Sequence, residues 1–197
     1  MKTAVSLFSG CGGSDAGLHA LGFDVLMAND ILPYAKEVYL ANMPETDYKV
    51  QDIREITSFP KADILVGCYP CQGFSQGGAR DPGRGINYLY REFDRALRSM
   101  KPKAFVVENV SGMRRADNNQ LLRNQLIRFR MAGYRVKFQE LNAKDFGVAQ
   151  DRKRVFFVGI RSDIDAAYEF PTPTHGVDAA LNPFTTLRDA IGDLPEW

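Results

Sequence analysis

Short apolar runs alternate with segments of helical period along the chain, and their order predicts an α/β architecture. AVSLF at 4–8 reads as a strand, and SDAGLHAL at 14–21 as a helix closed by Gly22, which is free to take the left-handed turn just past a helix end. FDVLMAND at 23–30 predicts a second strand, followed by a helix in AKEVYLAN at 35–42 that Met43-Pro44 stops. A short third strand is expected near Tyr48 to Val50 and a fourth in ADILVGC at 62–68. Leu89, Phe93, Ala96, Leu97 and Met100 share one helical face, as do Leu121, Leu122, Gln125, Leu126 and Phe129, with the apolar strand KAFVVENV between them. Strand and helix in strict alternation imply parallel strands joined by right-handed crossovers. The pattern then changes. YRVKFQELN at 134–142 and RKRVFFVGI at 152–160 are strands close enough in sequence to pair antiparallel. FPTPTHGVDAALNPF at 170–184 is proline-punctuated and loop-like, and no internal repeat or low-complexity linker interrupts the chain. The expected fold class is α/β: a Rossmann-like, mostly parallel sheet with an antiparallel C-terminal strand pair.

Composition narrows this picture in three ways. A length of 197 residues with 45% hydrophobic residues supplies one full core, so a single domain is expected. Met1-Lys2-Thr3 leads directly into a strand and no apolar run approaches membrane-spanning length, which predicts a cytoplasmic protein without a membrane partner. Three cysteines, Cys11, Cys68 and Cys71, are too few for a disulfide framework in that setting and are better read as buried, catalytic or metal-binding. A net charge of +1 leaves nucleic-acid binding to a local basic face.

The glycine-rich stretch FSGCGG at 8–13 falls between the first strand and the first helix, where an open α/β sheet binds nucleotide-like ligands. It is not the dinucleotide fingerprint, because the third glycine would fall at Asp15. Asp30, closing the second strand, is placed to accept hydrogen bonds from ribose hydroxyls. Asp52-Ile53, after the third, could take an adenine amino group and its face. Each aspartate alone could equally cap the helix that follows it. Together with the glycine loop they favour an adenosine cofactor without a pyrophosphate, of which S-adenosylmethionine is the obvious example.

The second chemical stretch is GCYPCQGFSQ at 67–76, which follows the fourth strand. A redox Cys-x-x-Cys would open a helix after a first strand, whereas Gly73, Gly77 and Gly78 discourage an immediate helix here. A zinc site needs about four ligands, and no second ligand pair is visible, so no metal is expected. Cys68 reads as a small buried residue ending the strand. Cys71 differs because it follows Pro70 at the carboxyl edge of the sheet, where such folds keep reactive groups. The next strand ends in Glu108-Asn109-Val110, which puts a carboxylate one strand away as a candidate general acid.

FSGCGG, PCQGFS, ENV and QDRKR occur in this order, and together they resemble the C5-cytosine DNA methyltransferase family from Val5 to about Pro195. The resemblance implies a methyltransferase fold with a cofactor pocket at Phe8, Gly10, Gly12, Asp30, Ile31, Asp52, Ile53 and Leu89. It implies that Cys71 adds to carbon 6 of cytosine, that Glu108 holds N3 and the exocyclic amine, and that Arg152 and Arg154 lie near the target nucleotide. Thiolate addition turns carbon 5 into an enamine-like centre able to take a methyl group from S-adenosylmethionine, leaving S-adenosylhomocysteine. Glu108 serves this step only when protonated, so burial around it is expected. The substrate implied is double-stranded DNA with the cytosine flipped out of the stack, and GGARDPGRGIN at 77–87 is a candidate closing loop with Arg80 or Arg84 on phosphate. That stretch is otherwise an ordinary surface loop.

Three departures from the family pattern stand out. Cys68 and Tyr69 replace the usual glycine and proline before Pro-Cys-Gln, and Ile31 stands where an aromatic residue often packs on adenine. Family members also continue beyond a segment like TTLRDAIGDLP into a target-recognition domain and return for a last helix and strand. Residues 1–197 are therefore expected to form an incomplete catalytic domain that works with a complementing C-terminal segment or chain. Modification of tRNA by the related branch, a non-catalytic module that keeps the fold, and a thiol oxidoreductase built on Cys68 and Cys71 are the competing readings.

Overall fold

The computed structural model describes residues 2–70, 88–114, 119–178 and 180–195. Seven strands, β1 (Lys2–Leu7), β2 (Phe23–Asp30), β3 (Asp47–Val50), β4 (Ile64–Gly67), β5 (Ala104–Val110), β6 (Tyr134–Asn142) and β7 (Lys153–Arg161), form one sheet in the order β3-β2-β1-β4-β5-β7-β6. The first five are parallel, and β7 runs antiparallel to both of its neighbours. The antiparallel pair is as expected, but β7 inserts between β5 and β6. The strand compositions give the physical reason. VFFV of β7 buries Val155, Phe157 and Val158, whereas β6 alternates charged, exposed residues suited to a sheet edge.

Helices α1 (Gly13–Ala20) and α2 (Pro33–Asn42) lie within the β1–β3 half, and α3 (Tyr90–Met100) and α4 (Asn119–Met131) within the β4–β6 half. Pro33 opens α2, where its missing N–H costs nothing. The buried positions of α3, Phe93, Ala96, Leu97 and Met100, repeat at helical spacing and pack with Leu7, Leu65, Phe105, Val107 and Phe157 of the sheet. Phe129 of α4 meets Phe93, Phe105 and Phe157 at ring separations of 5.9, 4.7 and 6.2 Å. Asp94 of α3, 2% exposed, receives Arg98 at 3.1 Å and Arg128 of α4 at 2.5 Å, so the carboxylate cross-links the two helices. Ala28, Tyr39, Met43 and Tyr48 form a separate, smaller cluster under α2. A short α5 (Leu187–Ile191) begins at Thr186, whose hydroxyl and backbone N–H exchange hydrogen bonds with Asp189 in a capping box.

Gly159 sits opposite Phe105 in the β5–β7 ladder, and a Cβ there would fall 2.0 Å from a ring carbon of Phe105. Gly159→Ala is expected to lower unfolding free energy by about 1–3 kcal/mol through overpacking, measured as a shifted urea midpoint at unchanged slope.

Candidate active site

Four strand ends meet at the carboxyl edge around a cavity of about 460 Å³. Its lining includes Phe8 after β1, Asp30 and Ile31 after β2, Asp52 and Ile53 after β3, and Leu89 just before α3. Six of the eight residues expected to hold a cofactor therefore share one space. Gly10 and Gly12 do not line it; they shape the loop that does. Phe8, Gly10 and Gly12 have φ of 58°, 52° and 88°, so the chain reverses through left-handed turns. At Gly12 a Cβ would also stand 2.5 Å from Met43 and 2.9 Å from Tyr39.

This loop is tied to its neighbours by polar contacts. Gly10 N–H donates to Asp30 Oδ2 at 2.9 Å, and Tyr48 Oη donates to the Gly10 carbonyl at 3.0 Å. Asp30 Oδ1 accepts from Leu32 N–H at 3.1 Å at the start of α2. The carboxylate thus holds the glycine loop and the turn that leads into α2 while facing the cavity. Asp52 serves as a cap: it accepts from Arg54 N–H at 2.9 Å and pairs with the Arg54 guanidinium at 2.5 Å. That hydrogen bonding lowers its carboxyl from the ordinary value. Ile53 is buried beneath, whereas Ile31 is 60% exposed at the rim. Arg54, Asn29 and Pro70 also line the cavity. Asn29 is buried and donates to the carbonyls of Lys49 and Gln51 at 3.1 and 2.8 Å, joining β2 to β3. Sequence reasoning missed these three, although each adjoins a residue it did identify.

A second polar cluster lies one strand further on. Glu108, on β5, receives Arg154 Nε at 2.8 Å and lies 4.0 Å from Arg152. The register explains the closer contact: Glu108 is opposite Phe156, so Arg154 is its diagonal neighbour on the same face. Arg152 is steadied by Asn142, whose Oδ1 accepts its backbone N–H at 3.0 Å. The burial expected around Glu108 is partial, since a quarter of its side chain remains exposed beside the guanidinium groups. Cys68 links the two regions. It lines the cavity, and burial pushes its thiol up to about 12, with the Glu108 charge adding to the effect. Such a thiol is a poor nucleophile at neutral pH, although Cys68 is only half-buried at the cavity wall and not the fully buried residue expected. Cys71 and the 77–87 stretch with Arg80 and Arg84 lie outside the described residues.

Asp15 was legible only as the residue that breaks the dinucleotide pattern. It is fully buried, accepting from Ser6 at 2.7 Å, Tyr39 at 2.8 Å and Ser14 at 3.1 Å. These bonds fix α1 against β1 and α2 directly behind the glycine loop.

A family model for C-5 cytosine-specific DNA methylase matches residues 2–196. The type II methyltransferase M.BsuRI of Bacillus subtilis is 40% identical, over 96% of this chain and 50% of that protein. The chain spans about half the length of that relative. M.AquIA of Picosynechococcus sp., another type II methyltransferase, is 38% identical over 98% of this chain and 89% of its own length. Among solved structures, a prophage-encoded protein of E. coli described as a DNA modification methyltransferase superposes with a TM-score of 0.81 at 26% identity, covering 100% of this chain and 56% of that one.

Burial raises the Asp15 carboxyl above its ordinary value of 3.8, against the lowering effect of its hydrogen bonds. The folded chain then holds this proton more tightly than the unfolded one. Stability from the site is complete below the ordinary value and is lost as pH rises through the raised one. Asp15→Asn removes this dependence, so the variant should gain on the wild type as pH climbs above 3.8, as measured by urea unfolding at stepped pH.

Proposed function

The chain belongs to the C-5 cytosine-specific DNA methylase family, and from that premise we propose that it is the cofactor-binding and catalytic portion of an enzyme that methylates carbon 5 of cytosine in DNA. The observation that carries the reading is the junction at one sheet edge: the cavity walled by Asp30, Asp52 and Ile53 meets the Glu108–Arg154 pair across Cys68, three residues before Cys71.

S-adenosylmethionine, when bound, supplies an electrophilic methyl group on a sulfonium. Asp30 retains lone pairs beyond its two backbone contacts and accepts from the ribose hydroxyls. Asp52 accepts from the adenine amino group beside its Arg54 contact, while Ile53, Ile31 and Leu89 enclose the base and Phe8 walls the cavity. Gly10 and Gly12 allow the loop backbone to approach closely. The Cys71 thiolate attacks carbon 6 of a flipped cytosine, and Glu108, oriented by Arg154, holds N3 and the exocyclic amine, so that as a proton reaches N3 through its carboxyl group electron density gathers at carbon 5. After the methyl group has moved, loss of the carbon 5 proton and β-elimination release Cys71. Arg152 and Arg154 hold the nucleotide and orient Glu108.

The substrate is double-stranded DNA, read by a C-terminal segment or separate chain that completes the enzyme. The type II methyltransferase relatives support a place in restriction-modification, which implies work in the cytoplasm. No helix among the described residues is long and apolar enough to cross a membrane.

The test is covalent trapping on duplex DNA carrying 5-fluorocytosine, with the C-terminal complement present. The fluorine cannot leave as a proton, so the Cys71 adduct persists after methyl transfer. Cys71→Ala should abolish the adduct and Glu108→Gln should slow it about 10²–10⁴-fold, whereas Cys68→Ser should leave it largely intact. Trapping through Cys68 instead, or labelling of tRNA in place of DNA, would overturn the reading.

A further inference from the structure

Tyr69 occupies one of the positions at which the chain departs from the family's Gly-Pro, and its surroundings give it a job that proline has no atoms to perform. Its ring is 3% exposed, lying edge-on to Phe8 at 6.1 Å and tilted against Phe93 at 5.8 Å. Its hydroxyl donates to Oε1 of Gln125, a side chain of α4 with no exposed surface. The other end of that amide, Nε2, finds no acceptor among the described residues, so the tyrosine is what anchors Gln125 there. The backbone carbonyl of Tyr69 meanwhile accepts from Asn109 Nδ2 at 3.1 Å, and Asn109, also buried, follows Glu108 on β5.

One residue thus touches the cavity wall through Phe8, the strand of Glu108 through Asn109, and α4 through Gln125. Folding alone does not call for this arrangement, because an apolar pair of the same shape would fill the space without desolvating a hydroxyl and an amide. A directional bond does what apolar packing does not: it fixes the ring along its own plane.

We infer that Tyr69 and Gln125 are a positioning pair that makes the cavity wall and the peptide leading to Cys71 move as one. A ligand pressing on Phe8 bears on the Tyr69 ring, and the ring, held at its hydroxyl, passes the displacement to the 69–70 peptide. The inference rests on the reading of the cavity as the S-adenosylmethionine site.

Peptide-resolved alkylation of the full chain by iodoacetamide, with and without S-adenosylhomocysteine, tests it, and calorimetry follows binding separately. Peptide resolution separates the three cysteines: Cys11 is exposed, Cys68 lies half-buried on the cavity wall, and Cys71 is the readout. In the wild type, saturating S-adenosylhomocysteine should change the Cys71 rate about fivefold or more. In Tyr69→Phe, and in the double variant Tyr69→Phe/Gln125→Leu, that ratio should fall to within about twofold of unity, with binding retained and the Cys11 rate unchanged. The double variant removes both partners of the hydroxyl–amide bond together, so it leaves neither of them buried without the other and should melt close to the wild type. Recovery of the Cys71 ratio along with stability would reduce the pair to a folding contact and overturn the inference. A wild-type ratio of one despite binding would also overturn it. No binding to the wild type would remove the cofactor reading itself, and the inference with it.

Discussion

The structure depends on the position of β1, the one parallel strand from which the chain leaves in two directions. β2 and β3 are added on one side of it and β4 and β5 on the other. Connections that diverge from a shared centre cannot cover the carboxyl ends of β1 and β4, and the crevice left open there is the cavity. Most of the described residues of the candidate site lie at or just past a strand end at that edge. Residues 8, 30, 52, 68 and 108 are scattered through more than half the sequence, and parallel register alone brings them together.

The polar groups that hold the loops at this edge also face the cavity. Asp30 joins the glycine loop to the start of α2, and Asp52 caps a 3-10 turn and fixes Arg54. Of the two, only Asp52 acts as a cap, and its capping bond leaves it on the cavity wall. A carboxylate already held by backbone N–H groups is preorganised, and it loses little freedom on accepting one further hydrogen bond.

The sequence made the elements legible because β1, β4, β5 and β7 carry apolar runs and α3 repeats its buried positions at helical spacing. Strand order past β5 was not legible. RKRVFFVGI and YRVKFQELN announce an antiparallel pair, but which of them meets β5 depends on burial across the whole sheet. The cavity residues were readable from their places at strand ends and from a resemblance spanning nearly the whole chain. The Asp15 cluster was not, because its partners Ser6 and Tyr39 lie on other elements and have no distinctive spacing. The pairing of Glu108 with Arg154 likewise needed the register before it could be seen.

Phe8 adopts a left-handed backbone conformation, φ 58°, that L-residues other than glycine enter at a cost of about 1–3 kcal/mol. Glycine would relax the backbone and remove the ring that walls the cavity. Backbone strain alone therefore favours a smaller residue at this position, and the shape of the cavity wall rests on the aromatic one. The ring marks the point where the chain gives up backbone ease for the shape of a cavity wall, a choice the fold by itself does not demand.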